Sequence, residues 1–471
     1  MKNSLYNIVI KNRKKDNYLL YNASTNILKE LPEKYINKKN GNLNLNLEIL
    51  TQSDIKELYK DGILCDNPDD QKYEFIKRDK EIRQPQSNYK ELSMVILPNY
   101  SCNCKCFYCF EPENINSSKS IPLNDEVEKK IINLVIKQIT ELRLERLSIE
   151  WFGGEPLLGL NRIMSVQSKV NELCYKNNVK NRNSIITNGL LLNNKAVKNL
   201  LNVNITQAQV TIDGPRNTHN QRKIFKKDPS GNFDIILKNL KESDERFTIS
   251  IRINVDKNNI DEIPQLIDQL IEEKVWPYKK NIRHITLGHL LMAQESKMIN
   301  ELSNEKFEVA KDNLRYLLYS KYNSIFPGKA KIKFEYPSLI TNIGCGYNIY
   351  TNAWVIDPSG QLFRCWEHVG YNDNFKSHID KLLDENANSV DIINNLLNGK
   401  IVTPEKREKY GCNNCIFLPI CGSHCMMPFN YDKKKRACSP WRYAFKQKLL
   451  NQINFFYENP QFIKAPFLTN E

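Results

Sequence analysis

The sequence predicts an α/β fold: a parallel sheet, open or curled into a partial barrel, with a small α+β module before it and a turn-rich block after it. Three observations carry that expectation. Strand-like and helix-like hydrophobic periods alternate from about residue 92 to 310. A short pattern of both kinds precedes them, and seven of the 13 cysteines lie beyond residue 340.

In residues 1–85, YNIVIKN and DNYLLYNAST read as strands, TQSDIKELYKDGIL as a helix and YEFIKRD as a final strand. The polar run RDKEIRQPQSNYKE, with Pro85, reads as a linker. Within residues 86–320, LSMVILP, VEKKIINLVIKQITEL, LSIEWFGG, NRIMSVQSKVNELCYK, SIITNG and AVKNLL alternate in type. ITQAQVTIDG, FDIILKNLK, FTISIRINV, IPQLIDQLIEEK and IRHITLG continue the alternation. Six βα units with short connections make a parallel sheet whose ligands sit at the C-terminal ends of the strands. Residues 340–445 hold GCGYNIYTNAWVIDPSGQLFRCW and GCNNCIFLPICGSHC, and 446–471 read as a C-terminal tail.

A chain of 471 residues with 41% hydrophobic residues can bury several cores. The net charge of +14 is scattered rather than gathered on one stripe, so nucleic acid is not an expected partner; an acidic peptide or an acidic electron-transfer protein suits it better. The N-terminus lacks the apolar run of a signal peptide, and no segment approaches the ~20 apolar residues that span a bilayer. No membrane partner is expected, and the expected location is the cytoplasm, where thiols stay reduced.

The stretch CNCKCFYC spends half its positions on cysteine. Its Cys102, Cys106 and Cys109 form C-x3-C-x2-C directly after the first strand of the parallel sheet, on the ligand-binding edge. Three thiolates on a tight loop can hold three irons of a cubane and leave the fourth open, whereas zinc would want a fourth ligand, which Cys104 could supply. Cys104 is otherwise a spectator, and Cys65 and Cys174 read as structural.

With its downstream loops, this stretch resembles the radical SAM enzymes, which implies a partial (β/α)6 TIM-type barrel and an open iron chelated by S-adenosylmethionine. Gly153, Gly154, Glu155 and Pro156 resemble the segment that receives the methionine amino group. Thr187 and Asn188 end the next strand, Thr211 and Asp213 the fourth; the resemblance puts a hydroxyl at Thr211 on the ribose and Tyr108 against adenine. Relatives carry an arginine four residues after a histidine for the cofactor carboxylate. Here Arg222 is three residues after His219 and Lys223 is four, so either cation could serve. His219 suits a capping or packing role as well as a functional one.

The C-terminal cysteines resemble the SPASM extension of the same family. By analogy Cys412, Cys415, Cys421 and Cys438 complete one auxiliary cluster, while Cys345, Cys365 and Cys425 give the other only three ligands. Fully ligated relatives have a further cysteine just upstream, and EYPSLITNIG contains none. That implies an open iron or a non-cysteine ligand, and three [4Fe-4S] clusters in all. Structural zinc knuckles are the competing reading.

The resemblance implies hydrogen abstraction by a 5′-deoxyadenosyl radical, with electrons from a reductant such as flavodoxin or ferredoxin. Two functions compete: a maturase acting on a ribosomally made precursor peptide, forming a crosslink such as a thioether, and an anaerobic sulfatase-maturating enzyme making formylglycine. In the latter group an aspartate follows the cysteine of the G-x4-C motif, whereas Cys365 is followed by Trp366 and Glu367. The N-terminal module resembles the winged-helix domains that hold a leader peptide in peptide maturases. Both features favour the peptide maturase; the catalytic base is not assigned.

Overall fold

The computed structural model describes residues 1–39, 42–82, 90–109, 121–228, 230–290, 299–332, 335, 337, 339, 352–369, 376–385, 392, 408–421, 438 and 440–459. They divide into two compact units. One holds residues 85–302 and 346–400; the other holds 1–84, 303–345 and 401–471. The block expected at 340–445 is therefore shared between the two units.

The first unit is built on a nine-stranded mixed sheet. Its strands are β1 (Glu91–Ile96), β2 (Arg146–Trp151), β3 (Lys180–Thr187), β4 (Ile205–Thr211), β5 (Thr248–Val255), β6 (Ile282–His289), β7 (Ala353–Ile356), β8 (Gln361–Phe363) and β9 (Ser377–His378). The order is β6-β5-β4-β3-β2-β1-β7-β8-β9. Strands β1 to β6 run parallel, β7 pairs parallel to β1, and β8 and β9 are antiparallel additions.

The pleat sorts the residues. In β5, Ile249, Ile251, Ile253 and Val255 are fully buried, while Thr248, Ser250, Arg252 and Asn254 alternate with them on a half-exposed face. Helices cover the apolar side. Among them, α1 (Asp125–Leu142) is capped by the Asn124 side chain, which accepts from the Val127 N–H, and buries Val127, Ile131, Leu134 and Val135 at helical spacing. Register aligns Trp151 with Ile96 and Ile185, so β1 and β2 end level, β3 runs two residues further, and their following loops gather at one edge.

The second unit opens with an antiparallel meander, Asn7–Asn12, Asn17–Asn22 and Ile27–Leu31, followed by helices Gln52–Lys60 and Pro68–Ile82. Both faces of the meander are buried, which explains the near-continuous apolar runs IVI and YLLY. One face packs Val9, Tyr18 and Leu20 against Leu58, Ile63 and Leu64. The other packs Ile8, Ile10, Leu19 and Tyr21 against Leu418, Ile420, Phe445, Leu449 and Ile453.

Two expectations change. YEFIKRD is not a strand but the middle of helix Pro68–Ile82, started by Pro68 with Asp69 and Asp70 in its first turn. The stretch expected as a tail from 446 begins inside helix Pro440–Glu458, whose apolar side belongs to the core just described. No helix among the described residues is long and apolar enough to cross a membrane.

Candidate active site at the strand ends

Strand β1 leads into the cysteine loop. The loop is anchored at its start, where the Leu97 N–H donates to the Ile356 carbonyl at 2.9 Å and the Tyr100 hydroxyl donates to Asp357 at 2.6 Å. Residues Cys104–Cys106 form a short strand antiparallel to Lys223–Phe225, and the Cys109 N–H closes a turn onto the Cys106 carbonyl at 3.1 Å. Cys102 and Cys106 are half-buried and Cys109 is exposed. Cys104, 6% exposed, points inward. The Cys104 N–H donates to the Cys102 sulfur at 3.4 Å. A side-chain hydrogen bond from Cys104, then this backbone bond and the charges of Lys223 and Lys226, hold the Cys102 thiol below its ordinary range against burial. Burial pushes the Cys106 thiol up to about 11, with the Lys223 charge opposing it.

The Gly-Gly-Glu loop after β2 is fitted onto the cysteine loop, backbone to backbone. A Cβ at Gly153, whose φ is +117°, would lie 2.6 Å from the Asn99 carbonyl oxygen. One at Gly154 would lie 2.4 Å from the carbonyl oxygens of both Tyr100 and Ser101. The Glu155 N–H donates to the Ser101 carbonyl at 2.8 Å. The fully buried Glu155 carboxylate then ties this loop to the end of β3, accepting from the Thr187 hydroxyl at 2.7 Å, the Asn188 N–H at 2.9 Å and the Leu157 N–H at 3.1 Å. Burial, only partly offset by these donors, pushes its carboxyl up to about 7. The Asn188 side chain donates to Asn103 at 2.6 Å and approaches the Cys102 sulfur at 3.9 Å. Three loops that are distant in sequence are thus one hydrogen-bonded body.

A second network starts at Tyr108. Its hydroxyl donates to Asp213, which also accepts from the Asn254 N–H at 2.9 Å. Burial raises the Asp213 carboxyl, against the pull of Lys223 and the Tyr108 hydrogen bond. The Asp213 N–H donates to His219 Nδ1 at 3.0 Å, and burial holds that imidazole neutral, its pKa lowered to about 3. His219 therefore shapes the loop. Arg222 is salt-bridged to the buried Asp256 at 3.1 Å and lies over the rings of Phe107 and Tyr108. Lys223 is equally buried and makes no side-chain hydrogen bond or ion pair among the described residues; the charges of Cys106, Asp213, Cys104 and Cys102 surround it. Thr211 lies at the end of β4, paired with Arg252 of β5.

Sequence reasoning missed the contribution of β5. Arg252 donates to Asn254 at 2.8 Å across the bare Cα of Gly288, where a Cβ would meet the guanidinium at 2.4 Å. Asn259 donates to the Asp213 and Asn254 carbonyls at 2.6 and 2.9 Å. Alternating polar residues in FTISIRINV read as an ordinary solvent face, and only their position at a strand end distinguishes them.

The remaining cysteines fall in both units. Cys412, Cys415, Cys421 and Cys438 belong to the meander's unit, with the left-handed Gly411 (φ +74°) turning the chain into Cys412. Burial raises the Cys415 thiol, and Arg442, Cys421 and Cys438 all act on it, so these sulfurs are neighbours; Arg442 donates to Cys438 at 3.2 Å. Cys365 follows β8 in the other unit, and Trp366 beside it packs on Phe152 at 6.0 Å between ring centroids. Cys345 and Cys425 lie outside the described residues.

Residues 96–270 match the model of the Radical SAM superfamily. The chain thus carries a radical SAM domain over that stretch. The chain is 24% identical over 351 residues to the Fe-coproporphyrin III synthase of Methanosarcina barkeri, covering 69% of this chain and 80% of that one. It is 31% identical over 134 residues to a cysteine-type anaerobic sulfatase-maturating enzyme of Clostridium perfringens, covering 27% and 35%. A solved structure of native anSMEcpe with bound AdoMet and Cp18Cys peptide shares the fold at TM-score 0.53 and 20% identity, over 78% of this chain and 99% of that one.

The superfamily implies a [4Fe-4S] cluster and S-adenosylmethionine. The donor set suits them: Cys102, Cys106 and Cys109 supply sulfur alone, a buried cation faces those sulfurs, and the cysteine loop is braced by the loops after β2, β3 and β4. Among the described residues no three His, Cys, Asp or Glu side chains yet converge closely enough to hold a single metal ion.

Proposed function

We propose that this radical SAM enzyme modifies a ribosomally made precursor peptide and joins two of its residues, with a thioether as the favoured bond. When bound, the cluster and S-adenosylmethionine supply a 5′-deoxyadenosyl radical that removes hydrogen from an unactivated carbon. The chain's part is to hold, orient and shield. Cys102, Cys106 and Cys109 would hold the cluster, Lys223 would take the cofactor carboxylate, and Arg222 would brace the Tyr108 ring. Glu155 ties the loop after β2 to Thr187 and Asn188 and would keep it in place for the cofactor.

The observation that carries the peptide reading is Trp366. A sulfatase maturase of the expected kind needs an acid directly after Cys365. Here that position holds an indole that packs with Phe152 against the buried cluster of Val95, Leu97, Val355 and Phe363. The coproporphyrin synthase relative has the longer alignment, but a tetrapyrrole carrying several carboxylates would want free cations on the half-exposed sheet face. On that face Glu150 presents a carboxyl, Arg252 is already engaged by Asn254 and Arg182 by Gln207. The neighbouring fold with a bound peptide supports a peptide substrate.

The meander adds a means of capture, since strand Ile27–Leu31 lies at the edge of its sheet and can accept a leader strand. Cys412, Cys415, Cys421 and Cys438 would hold one auxiliary cluster, and Cys345, Cys365 and Cys425 a second one able to bind a substrate thiolate. Flavodoxin or ferredoxin is the proposed reductant.

The test is anaerobic incubation of the reconstituted protein, S-adenosylmethionine and reductant with small peptides encoded beside its gene and with a sulfatase peptide. A thioether appears as loss of two hydrogens with a cysteine that no longer alkylates. A hydrazide-reactive aldehyde on the sulfatase peptide, with every small peptide unchanged, would overturn the reading.

A further inference from the structure

The carboxylates at the strand ends are committed, with one exception. Glu155 and Asp213 have donors on both oxygens, and Asp256 is fully buried and ion-paired with Arg222 through one oxygen, its other oxygen enclosed and without a donor among the described residues. Asp357 receives Ser359 and Gln361 on one oxygen and Tyr100 on the other. Glu150 differs. It lies one residue before the end of β2, on the half-exposed face, opposite Ser184 of β3 in register. Its one hydrogen bond among the described residues is a long 3.4 Å from the Ser184 hydroxyl. Its other oxygen accepts nothing there.

The neighbourhood is polar but offers no partner. On the same face Ser148 of β2 is bonded to Ser93 of β1, Gln207 of β4 and Thr248 of β5 continue the row from Ser184, and Arg182 of β3, opposite Ser148, donates to Gln207 at 2.9 Å. Arg252 of β5 lies three strands away, about 14 Å between backbones at ordinary strand spacing. It attracts the Glu150 carboxylate but forms no ion pair with it. Burial raises the Glu150 carboxyl, so the anion is held at a cost that a bound cation would relieve.

We infer that Glu150 is the recognition point for a basic side chain, lysine or arginine, in the segment of the peptide that is modified. This rests on the peptide reading above and narrows it. A carboxylate at the end of a strand, just under the Gly-Gly-Glu loop, meets substrate where the cofactor loops converge. A half-desolvated cation-carboxylate pair gives specificity that serine and glutamine alone do not.

The experiment uses the full-length protein and whichever neighbouring precursor peptide it modifies, fluorescently labelled for anisotropy and also followed by turnover. Replacing the basic residue of the modified segment by glutamine is expected to raise Kd and KM by about ten- to hundredfold with kcat little changed. Glu150→Gln is expected to do the same to the unaltered peptide, and to add nothing when the peptide already lacks its cation. Glu150→Asp, which keeps the charge, should restore most of the affinity. Multiplying losses, or a fall in kcat alone with Kd unchanged, would overturn the inference and leave the peptide reading standing. Turnover of sulfatase peptide with no small peptide modified overturns both.

Discussion

At the scale of single residues, the sharpest consequence concerns His219. Its Nδ1 accepts the Asp213 N–H and the ring is fully buried, so protonation would lose that hydrogen bond and charge an enclosed site. A folded pKa near 3 against an unfolded value near 6.5 means the unfolded chain binds the extra proton first. Stability from this group is complete above the unfolded value and is lost as pH falls through that window, at about 1.4 kcal/mol per pH unit. Denaturant titrations of the wild type and His219→Gln between pH 4 and pH 7 (roughly the window in which an ordinary histidine titrates) should show the shallower slope in the variant. Equal slopes would mean the ring charges without cost. Cys104 makes the second case. Its inward side chain and hydrogen bond to Cys102 place it behind the ligand loop, so Cys104→Ala should keep its bound iron, whereas Cys106→Ala should lose about four irons per chain. Matching iron loss in both would reassign the ligands.

At the scale of elements, the sequence made the strands and their loops readable because a parallel sheet writes short apolar runs between helical periods. The TNG and IDGP stretches were visible for the same reason: glycine and asparagine mark strand ends. The helix over Pro68–Ile82 was misread because YEFIKRD is too short, taken alone, to separate a period of two from one of 3.6; Phe75 and Ile76 pack against the second unit's core, and the charged residues on either side of that pair suit a helix. The role of β5 was hidden because Arg252, Asn254 and Gly288 acquire meaning only when β5 and β6 lie side by side. The same adjacency gives the glycines of the loop after β2 a testable cost. Gly154→Ala must push the Tyr100 and Ser101 carbonyls away, moving the chain that delivers Cys102, and should cost about 1–3 kcal/mol together with cofactor affinity. Gly328→Ala is the control. Its φ of +71° carries a conformational penalty of about 1 kcal/mol, but nothing lies within 4 Å, so cofactor binding measured by calorimetry should not change. If both variants bind cofactor alike, the close approach at Gly154 has no bearing on the site.

At the scale of the whole molecule, the chain's order misleads about what can be removed. Residues 1–84 look like a detachable recognition module, yet the meander's second face is covered by segments from the far end of the chain. Deleting the module would expose Leu418, Ile420, Phe445, Leu449 and Ile453 together. At roughly 1.5–3 kcal/mol for each large apolar side chain, the loss is on the order of 10 kcal/mol, comparable to the stability of an entire domain. Tyr6 also lies within electrostatic reach of Cys415, so the same deletion strips cover from the Cys412 to Cys438 group. The deleted protein is therefore expected to lose more than leader binding. Its remaining soluble fraction should carry about four fewer irons than the full chain and exchange amide hydrogens rapidly across Pro440–Glu458, because that helix has lost the face it packed against. The loops after β1, β2, β3 and β4 belong to the other unit, with its own core, so the iron held by Cys102, Cys106 and Cys109 should persist. A truncated protein with full iron content and a protected C-terminal helix would show that the meander is independent, and only then would its deletion be a clean test of leader recognition.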